Sequence, residues 1–343
     1  MIAVTGGTGH IGNVLVRQLL ASGESIRVMK TPHDDPAPLA GLAVELVDGD
    51  VRDRRSLEEV LTGADLVFHL AGQISISPGK TKILRQVNIE GTRNMVSACL
   101  RTGVRRLVYT SSVHAFNDLP HGMVIDEATP IEPERVMGAY GKSKALATLA
   151  VLDGVRRGLD AVIVHPSGVI GPYDYRLSEM GGLIVDVARG RMKAFIDGAY
   201  DFVDVRDVAA GVIEAAARGK KGESYILAGE ALSVREFLAL AGDLAGVKPP
   251  SLRVPNGLAR AFAALTPLDY AFSKTKPRFT SYSLKVLASN SQLSSEKARR
   301  ELAYAPRPLA QSVRDSIEWF RIQGVIPRRA GNYNGKDCLP KST

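Results

Sequence analysis

Cysteine is nearly missing from this chain, with two in 343 residues, Cys99 and Cys338. Cys99 falls in an apolar helical pattern and Cys338 in a polar tail, and neither has neighbours spaced for a metal or a redox pair. A disulfide framework does not fit, no metal site is expected, and a reducing compartment suits the chain. No apolar run approaches the roughly 18 residues of a membrane-spanning helix. The chain opens "MIAVTGGTG" and enters a strand-like segment at once, which leaves no room for a leader peptide. The expectation is a cytoplasmic protein without a membrane partner. Aromatic residues are scarce, at 6% with one tryptophan, and they do not interleave with the basic residues behind the net charge of +8. Nucleic acid is therefore not an expected partner, and the charge suits phosphate-bearing small molecules instead.

What is present is alternation. Ile2–Val4, Ser25–Met29, Ala43–Val47, Leu66–Leu70, Arg106–Thr110 and Ala161–His165 are short runs rich in Val, Ile or Leu, bounded by turn residues, and read as strands. Helical patterns separate most of them: "NVLVRQLLAS" stops at Gly23, and a second helix runs from about Leu84 to Thr102 and stops at Gly103. Strand–helix alternation requires parallel pairing with crossover helices. The fold class is α/β, a Rossmann-type doubly wound parallel sheet. After Pro166 glycines interrupt the rhythm, "FVDVRDVAAGVIEAAARG" restores a strand and helix, and a mostly helical stretch with proline joints at 248–250, 266–269 and 305–308 follows. The predicted division is a dinucleotide-binding domain over 1–166, rejoined by 200–228, and a smaller substrate lobe from 167–199 and 229–327. A polar tail over 328–343 completes the chain.

"TGGTGHIG" lies between the first strand and the first helix. Gly7, Gly9 and Gly12 fit G-x-G-x-x-G, and Gly6, Gly9 and Gly12 fit T-G-x-x-G-x-x-G. Such a loop needs a tight turn, a bare backbone against a pyrophosphate and a helix starting close to the sheet. The helix N-terminus then attracts the anion. Gly6, Gly7, Gly9, His10, Ile11 and Gly12 are the predicted cradle. A carboxylate for a free ribose 2′-OH belongs near the end of the second strand. Lys30 and Thr31 stand there, while Asp34 and Asp35 come later and are expected to face water. Lys30 beside a 2′-phosphate favours NADP over NAD. In "DGDVRD" (48–53) Asp50 is placed to accept from the adenine and Val51 to pack on it, and Asp53 suits a helix N-cap. Leu70, Ala71 and Gly72 end the fourth strand with small residues under the cofactor.

The fifth strand ends "YTSSVHAF". Carboxyl ends of strands hold the ligands of open α/β sheets, so Ser112 is a candidate for the chemistry, and Ser111 for tying the turn. "AYGKSKA" (139–145) begins the next helix. Tyr140 and Lys144, four apart, share a face, and Lys142 points nearly opposite. A cation near the phenol is expected to lower its ordinary pKa near 10 and make it an acid–base group.

With "TGGTGHIG", "DGDVRD", "HLAG" (69–72), "VNIEGTRNMV" (87–96), "YTSSV", "YGKSK", "HPSGVIGP" (165–172) and "FVDVRDVA" (202–209) in this order, the chain resembles the extended short-chain dehydrogenase/reductases. The resemblance implies Ser112, Tyr140 and Lys144 as the catalytic residues, with Lys144 also on the nicotinamide ribose. It implies Asn88 as support for the active-site region and Pro166 beside the nicotinamide. Val113 and His114 replace the acidic pair that dehydratases of the family carry. "VHPSGVIGP" and the segment 282–320 are similar to the dihydroflavonol-reductase and 3β-hydroxysteroid-dehydrogenase branch. Gln73, His114 and Tyr173 are the further candidates for lining the substrate cleft, and a homodimer is common in the family. The expected function is hydride transfer between NADP or NAD and a carbonyl or alcohol of a small apolar or sugar-like substrate. The alternatives are a sugar epimerase and a non-catalytic dinucleotide-binding protein.

Overall fold

The computed structural model describes residues 1–74, 81–255, 257–258, 286–287 and 289–327. Cys338, the joint at 266–269 and the tail 328–343 lie outside the described residues. Six strands, β1 (Ile2–Thr5), β2 (Ile26–Lys30), β3 (Glu45–Asp48), β4 (Leu66–His69), β5 (Arg106–Thr110) and β6 (Ala161–Pro166), stand in the order 3-2-1-4-5-6, all parallel. A seventh, β10 (Ser224–Leu227), adds in parallel beyond β6. The inner strands are apolar at nearly every position because both faces of the sheet are covered; β6 is buried at all six residues. Helices α1 (His10–Ala21) and α7 (Val205–Arg218) fill one face with Val14, Leu15, Val208 and Val212. On the other, α2 (Arg54–Leu61), α4 (Gly91–Thr102) and α5 (Gly138–Arg156) bring Leu57, Met95, Cys99 and Val151.

The local signals behave as their chemistry requires. Asp53 caps α2 by accepting from the Arg55 N–H at 2.9 Å. Gly103 ends α4 in the left-handed region at φ 72°. Between the short α3 (Thr81–Leu84) and α4, residues Arg85–Glu90 form a π-helical stretch, a local widening that concentrates at functional sites.

Beyond Pro166 the chain leaves the main sheet. β7 (Gly168–Ile170) pairs in parallel with β9 (Ala199–Asp204), which pairs antiparallel with β11 (Glu230–Ser233). The strand of "FVDVRDVA" therefore belongs to a separate three-stranded sheet, and the return to the large sheet is made by α7 and β10. Close backbone approach permits this: a Cβ on Gly168 would stand 2.4 Å from the Tyr200 ring, and one on Gly229 would stand 2.1 Å from the Phe202 carbonyl. α6 (Glu179–Ala188), α8 (Val234–Ala245) and α10 (Leu309–Ile322) pack Ile184, Phe237, Val313 and Phe320 against this sheet as a second core. β8 (Ala194–Ile196) and β12 (Leu252–Val254) form a parallel pair beside it, and α9 (Glu296–Leu302) rests on β10 and α7.

Candidate functional site

The glycine loop leaves β1 with Gly6 at φ 76°, and its turns are too close for side chains. A Cβ on Gly6 would lie 2.7 Å from the Ala71 nitrogen, one on Gly7 2.4 Å from Val28, and one on Gly12 2.1 Å from the Gly6 carbonyl. No side chain caps α1, and its first turn holds no acid. Its positive end thus faces the loop with N–H groups free for an anion, which is the donor set a pyrophosphate needs. The residues present fit a dinucleotide. His10 and Asn13 face the other lobe. His10 Nε2–H donates to the Pro172 carbonyl at 2.9 Å, and Asn13 donates to the Tyr173 carbonyl at 3.1 Å. Leu70, Ala71 and Gly72 run beside the loop, with the Leu70 N–H on the Thr5 carbonyl at 3.0 Å.

Two of the predicted adenosine contacts are engaged within the protein. Lys30 is ion-paired with Asp48, its register partner on β3. The Asp50 carboxylate is held by Arg52, whose guanidinium lies 2.5 Å away and lowers its pKa. Val51 is buried against Gly91, where a Cβ would meet it at 2.6 Å. Asp34, expected in water, is instead bonded to Arg176 at 2.9 Å.

The three candidate catalytic side chains meet where β5 ends and α5 begins. Ser112 follows β5 and caps a short 3-10 turn, accepting from the His114 N–H at 3.2 Å. Its hydroxyl also acts on the nearby Tyr140 phenol, favouring the phenolate. Tyr140 and Lys144 are 9% and 5% exposed, whereas Lys142 is exposed on the other side of α5. The helical period predicted this division. Lys144 Nζ donates to the Thr110 carbonyl at 2.8 Å, lies 5.2 Å from the Tyr109 ring centre and would stand 3.4 Å from a Cβ on Gly72. Burial pushes its pKa down to about 8.

The expectation that Lys144 lowers the tyrosine pKa is not met. Burial pushes Tyr140 up to about 12, against a smaller lowering by the Ser112 hydroxyl. The cause is burial, which disfavours the phenolate more than its neighbours restore it. Tyr140 is therefore a neutral phenol with Ser112 beside its oxygen, arranged to donate a proton.

Buried polar groups fix this corner. Asn88, in the π-helical stretch, donates to the Ser143 hydroxyl at 2.9 Å and to the Gln73 carbonyl at 3.0 Å. Its Oδ1 accepts the Gln73 N–H at 2.7 Å, so Gln73 is placed through its backbone while its side chain is exposed. His165 precedes Pro166 and donates from Nδ1 to the Ser112 carbonyl at 3.1 Å. Its Nε2 then accepts from Ser224 at 3.1 Å, and burial keeps it neutral, with its pKa down to about 4.

His114 sits edge-on to Tyr140, with ring centres 6.2 Å apart, and bonds the Tyr200 hydroxyl at 2.7 Å. Burial lowers its pKa to about 4 as well. A cavity of about 40 Å³, room for about one water, opens beside His114, Tyr200, Ser167 and Asp201. Burial raises the Asp201 carboxyl to about 6, although the Ser167 hydroxyl and the Gly229 N–H oppose the rise. Tyr173, predicted in the substrate cleft, has the Arg17 guanidinium 4.7 Å over its ring and Trp319 packed at 6.4 Å.

Tyr200, Asp201 and Arg176 were missed in the sequence. Each reaches its partner through a separate sheet or loop, and no local spacing announces that. Among the described residues no group of three or more His, Cys, Asp or Glu is arranged for a metal, and no helix is long and apolar enough to cross a membrane.

Residues 2–228 match the model of the NAD dependent epimerase/dehydratase family. Over 327 residues, 94% of this chain and 99% of the relative, the sequence is 40% identical to sterol demethylase protein B of Methylococcus capsulatus. It is 29% identical to 3beta-hydroxysteroid-dehydrogenase/decarboxylase isoform 2 of Arabidopsis thaliana, covering 92% of this chain and 61% of that one. The crystal structure of gox2253 superposes with a TM-score of 0.85 at 35% identity, over 95% of this chain and 99% of the other. The hydroxysteroid-dehydrogenase relative falls in the branch that the "HPSGVIGP" segment indicated. Strand order, glycine loop and matches agree: the chain belongs to the NAD-dependent epimerase/dehydratase family and is an enzyme of its oxidoreductase and epimerase chemistry.

Proposed function

We propose that this enzyme moves a hydride between NADP(H) and a carbonyl or alcohol of a small, largely apolar substrate, with Ser112, Tyr140 and Lys144 as the reacting centre. The observation that carries the reading is the burial of the Ser112 hydroxyl, the Tyr140 phenol and the Lys144 ammonium together beside Gly72, at the carboxyl edge of the sheet. A bound nicotinamide supplies or accepts the hydride there. Ser112 holds the substrate oxygen. Tyr140, a neutral phenol near Ser112, gives that oxygen its proton during reduction and takes it back during oxidation. Lys144, kept charged below about pH 8, fixes the cofactor's ribose and compensates the phenolate left behind when the proton departs. His165 and Asn88 hold the Ser112 backbone and α5 in register.

The apolar substrate class rests on the sterol and hydroxysteroid relatives, while Val113 and His114, standing where dehydratases of the family carry an acidic pair, argue against dehydration. A second reading, epimerisation of a sugar, is favoured by the family match alone. Incubating the enzyme with NADPH and a panel of hydrophobic ketones separates the two. Loss of NADPH absorbance with matching alcohol formation is expected. Inversion of a sugar centre with no net cofactor change would transfer the case to the epimerase. Tyr140→Phe is expected to cut kcat by about a thousandfold or more while NADPH still binds. A Phe variant that turns over normally would overturn the assignment.

A further inference from the structure

The segment after β7 crosses to the other lobe and lies on the glycine loop. Pro172 and Tyr173 are tied to α1 by His10 and Asn13. Arg17 reaches up from α1 to stack over Tyr173 and to bond the Tyr175 hydroxyl at 3.4 Å. Beneath, the Asp174 carboxylate is 3% exposed and accepts from the Ser178 N–H at 2.8 Å and its hydroxyl at 2.7 Å. Among the described residues only three besides glycine have positive φ, and two bracket this strap: Tyr173 at 67° and Leu177 at 49°. Side chains enter this region at a cost that the surroundings must offset, and such strain gathers at ligand clamps.

The strap delivers Arg176. One guanidinium nitrogen donates to the Thr8 hydroxyl at 2.8 Å, inside the glycine loop, and to Asp34 Oδ1 at 2.9 Å. Asp34 stands four residues past the end of β2, oriented by the Thr31 N–H on its other oxygen at 3.2 Å. A hydroxyl of the glycine loop, a carboxylate after β2 and a guanidinium thus converge at the place where an adenosine ribose presents its 2′ position. The Arg176 side chain remains about half exposed, at 52%, so donors are left for an incoming group. Lys30, the cation predicted for this task, is paired with Asp48.

We propose that Arg176, carried by the strap from the opposite lobe, reads the 2′-phosphate of NADP(H), trading the Asp34 carboxylate for the phosphate while Thr8 bonds the same group. The guanidinium fork matches phosphate oxygens, and its exchange from a carboxylate to a dianion is electrostatically favourable. Asp34 is then the counterweight: it repels the phosphate and holds Arg176 in place when the phosphate is missing. The assignment rests on the NADP(H) reading given above, and the strap makes preference for that cofactor depend on the substrate lobe being docked.

The test is binding, independent of turnover. NADPH, NADH and the fragments 2′,5′-ADP and 5′-AMP are titrated against wild type, Arg176→Gln and Asp34→Asn by calorimetry. The lone tryptophan, Trp319, lies 5.2 Å from Tyr175 of the strap and offers a parallel fluorescence signal. Arg176→Gln is expected to weaken NADPH and 2′,5′-ADP about tenfold to a hundredfold, as loss of a charge-assisted phosphate contact does, and to leave NADH and 5′-AMP within about twofold. Asp34→Asn is expected to tighten NADPH several-fold without tightening NADH. A wild type that prefers NADPH and keeps its full preference in Arg176→Gln would overturn the role of Arg176 and leave the NADP(H) reading standing. A wild type without preference would overturn both the cofactor reading and this assignment, yet leave the Tyr140 centre untouched.

Discussion

Replacing Lys144 by methionine should make the cofactor-free protein more resistant to unfolding at neutral pH while destroying its activity. The structure supplies the magnitude. The ammonium is 5% exposed, and burial lowers its pKa from the ordinary 10.5 to about 8. At pH 7 the folded chain therefore carries a charge it disfavours, at a cost of about 3 kcal/mol. Methionine has a similar length and flexibility and removes that cost. It also takes the donor from the Thr110 carbonyl, which returns about 1–2 kcal/mol of the gain.

The pH dependence is cleaner than the net value, because the orphaned carbonyl does not titrate. Between pH 8 and 10.5 the unfolded lysine binds more protons than the folded one, so wild-type stability rises with pH through this window. The penalty is full below pH 8 and gone above 10.5. Between pH 7 and pH 9.5 wild type should gain about 2 kcal/mol on Lys144→Met. Urea unfolding followed by circular dichroism at the two pH values measures it, with m-values compared to exclude a change of mechanism. Parallel pH profiles for the two proteins would refute the claim that Lys144 is desolvated. A charge that costs stability and serves the reaction is the trade expected at an active site.

Lys142→Ala should leave kcat and KM within about twofold, the scale of an exposed substitution away from packed features; a loss comparable to that of Lys144→Ala in the same steady-state assay would contradict the helical geometry. Asp201→Asn tests the floor beside Tyr200. Because burial raises Asp201 to about 6, the folded state holds its proton longer than the unfolded state does, and wild-type stability falls as pH rises from about 4 to 6. The asparagine variant lacks that fall, so its advantage should open through this window and reach up to about 3 kcal/mol above pH 6. Thermal melts at pH 4.5 and 7.5 read the difference, and equal Tm shifts at both values would oppose it.

The sheet was legible because parallel strands buried on both faces leave unmistakable apolar runs, and the Tyr140–Lys144 alignment was legible because helical spacing is local. The lobe beyond Pro166 was not. Gly181 and Gly182 read as interruptions, yet both lie inside α6, where position 181 must be small: a Cβ would fall 2.1 Å from the Asp174 carboxylate. β9 looked like another strand of the main sheet, since nothing in "FVDV" records that its partners are β7 and β11. Lys30 looked free because its carboxylate partner arrives on the neighbouring strand. The tyrosine's acidity was misjudged for a related reason. Sequence spacing locates a cation but not the extent of burial around the phenol.

The π-helical stretch Arg85–Glu90 also bears on how relatives of this chain are compared. A turn closed i→i+5 contains one residue more than an α turn, so the segments before and after it are counted from different origins. α4 keeps its packing phase against α2 and α5, while Asn88 keeps a separate phase toward Ser143 and Gln73. Deleting Ile89 or Glu90 would turn Asn88 by about 100° relative to α4 and carry its amide away from Ser143. A one-residue gap at this point in an aligned relative is therefore a rewired tether of the active-site corner, however well the flanking residues agree.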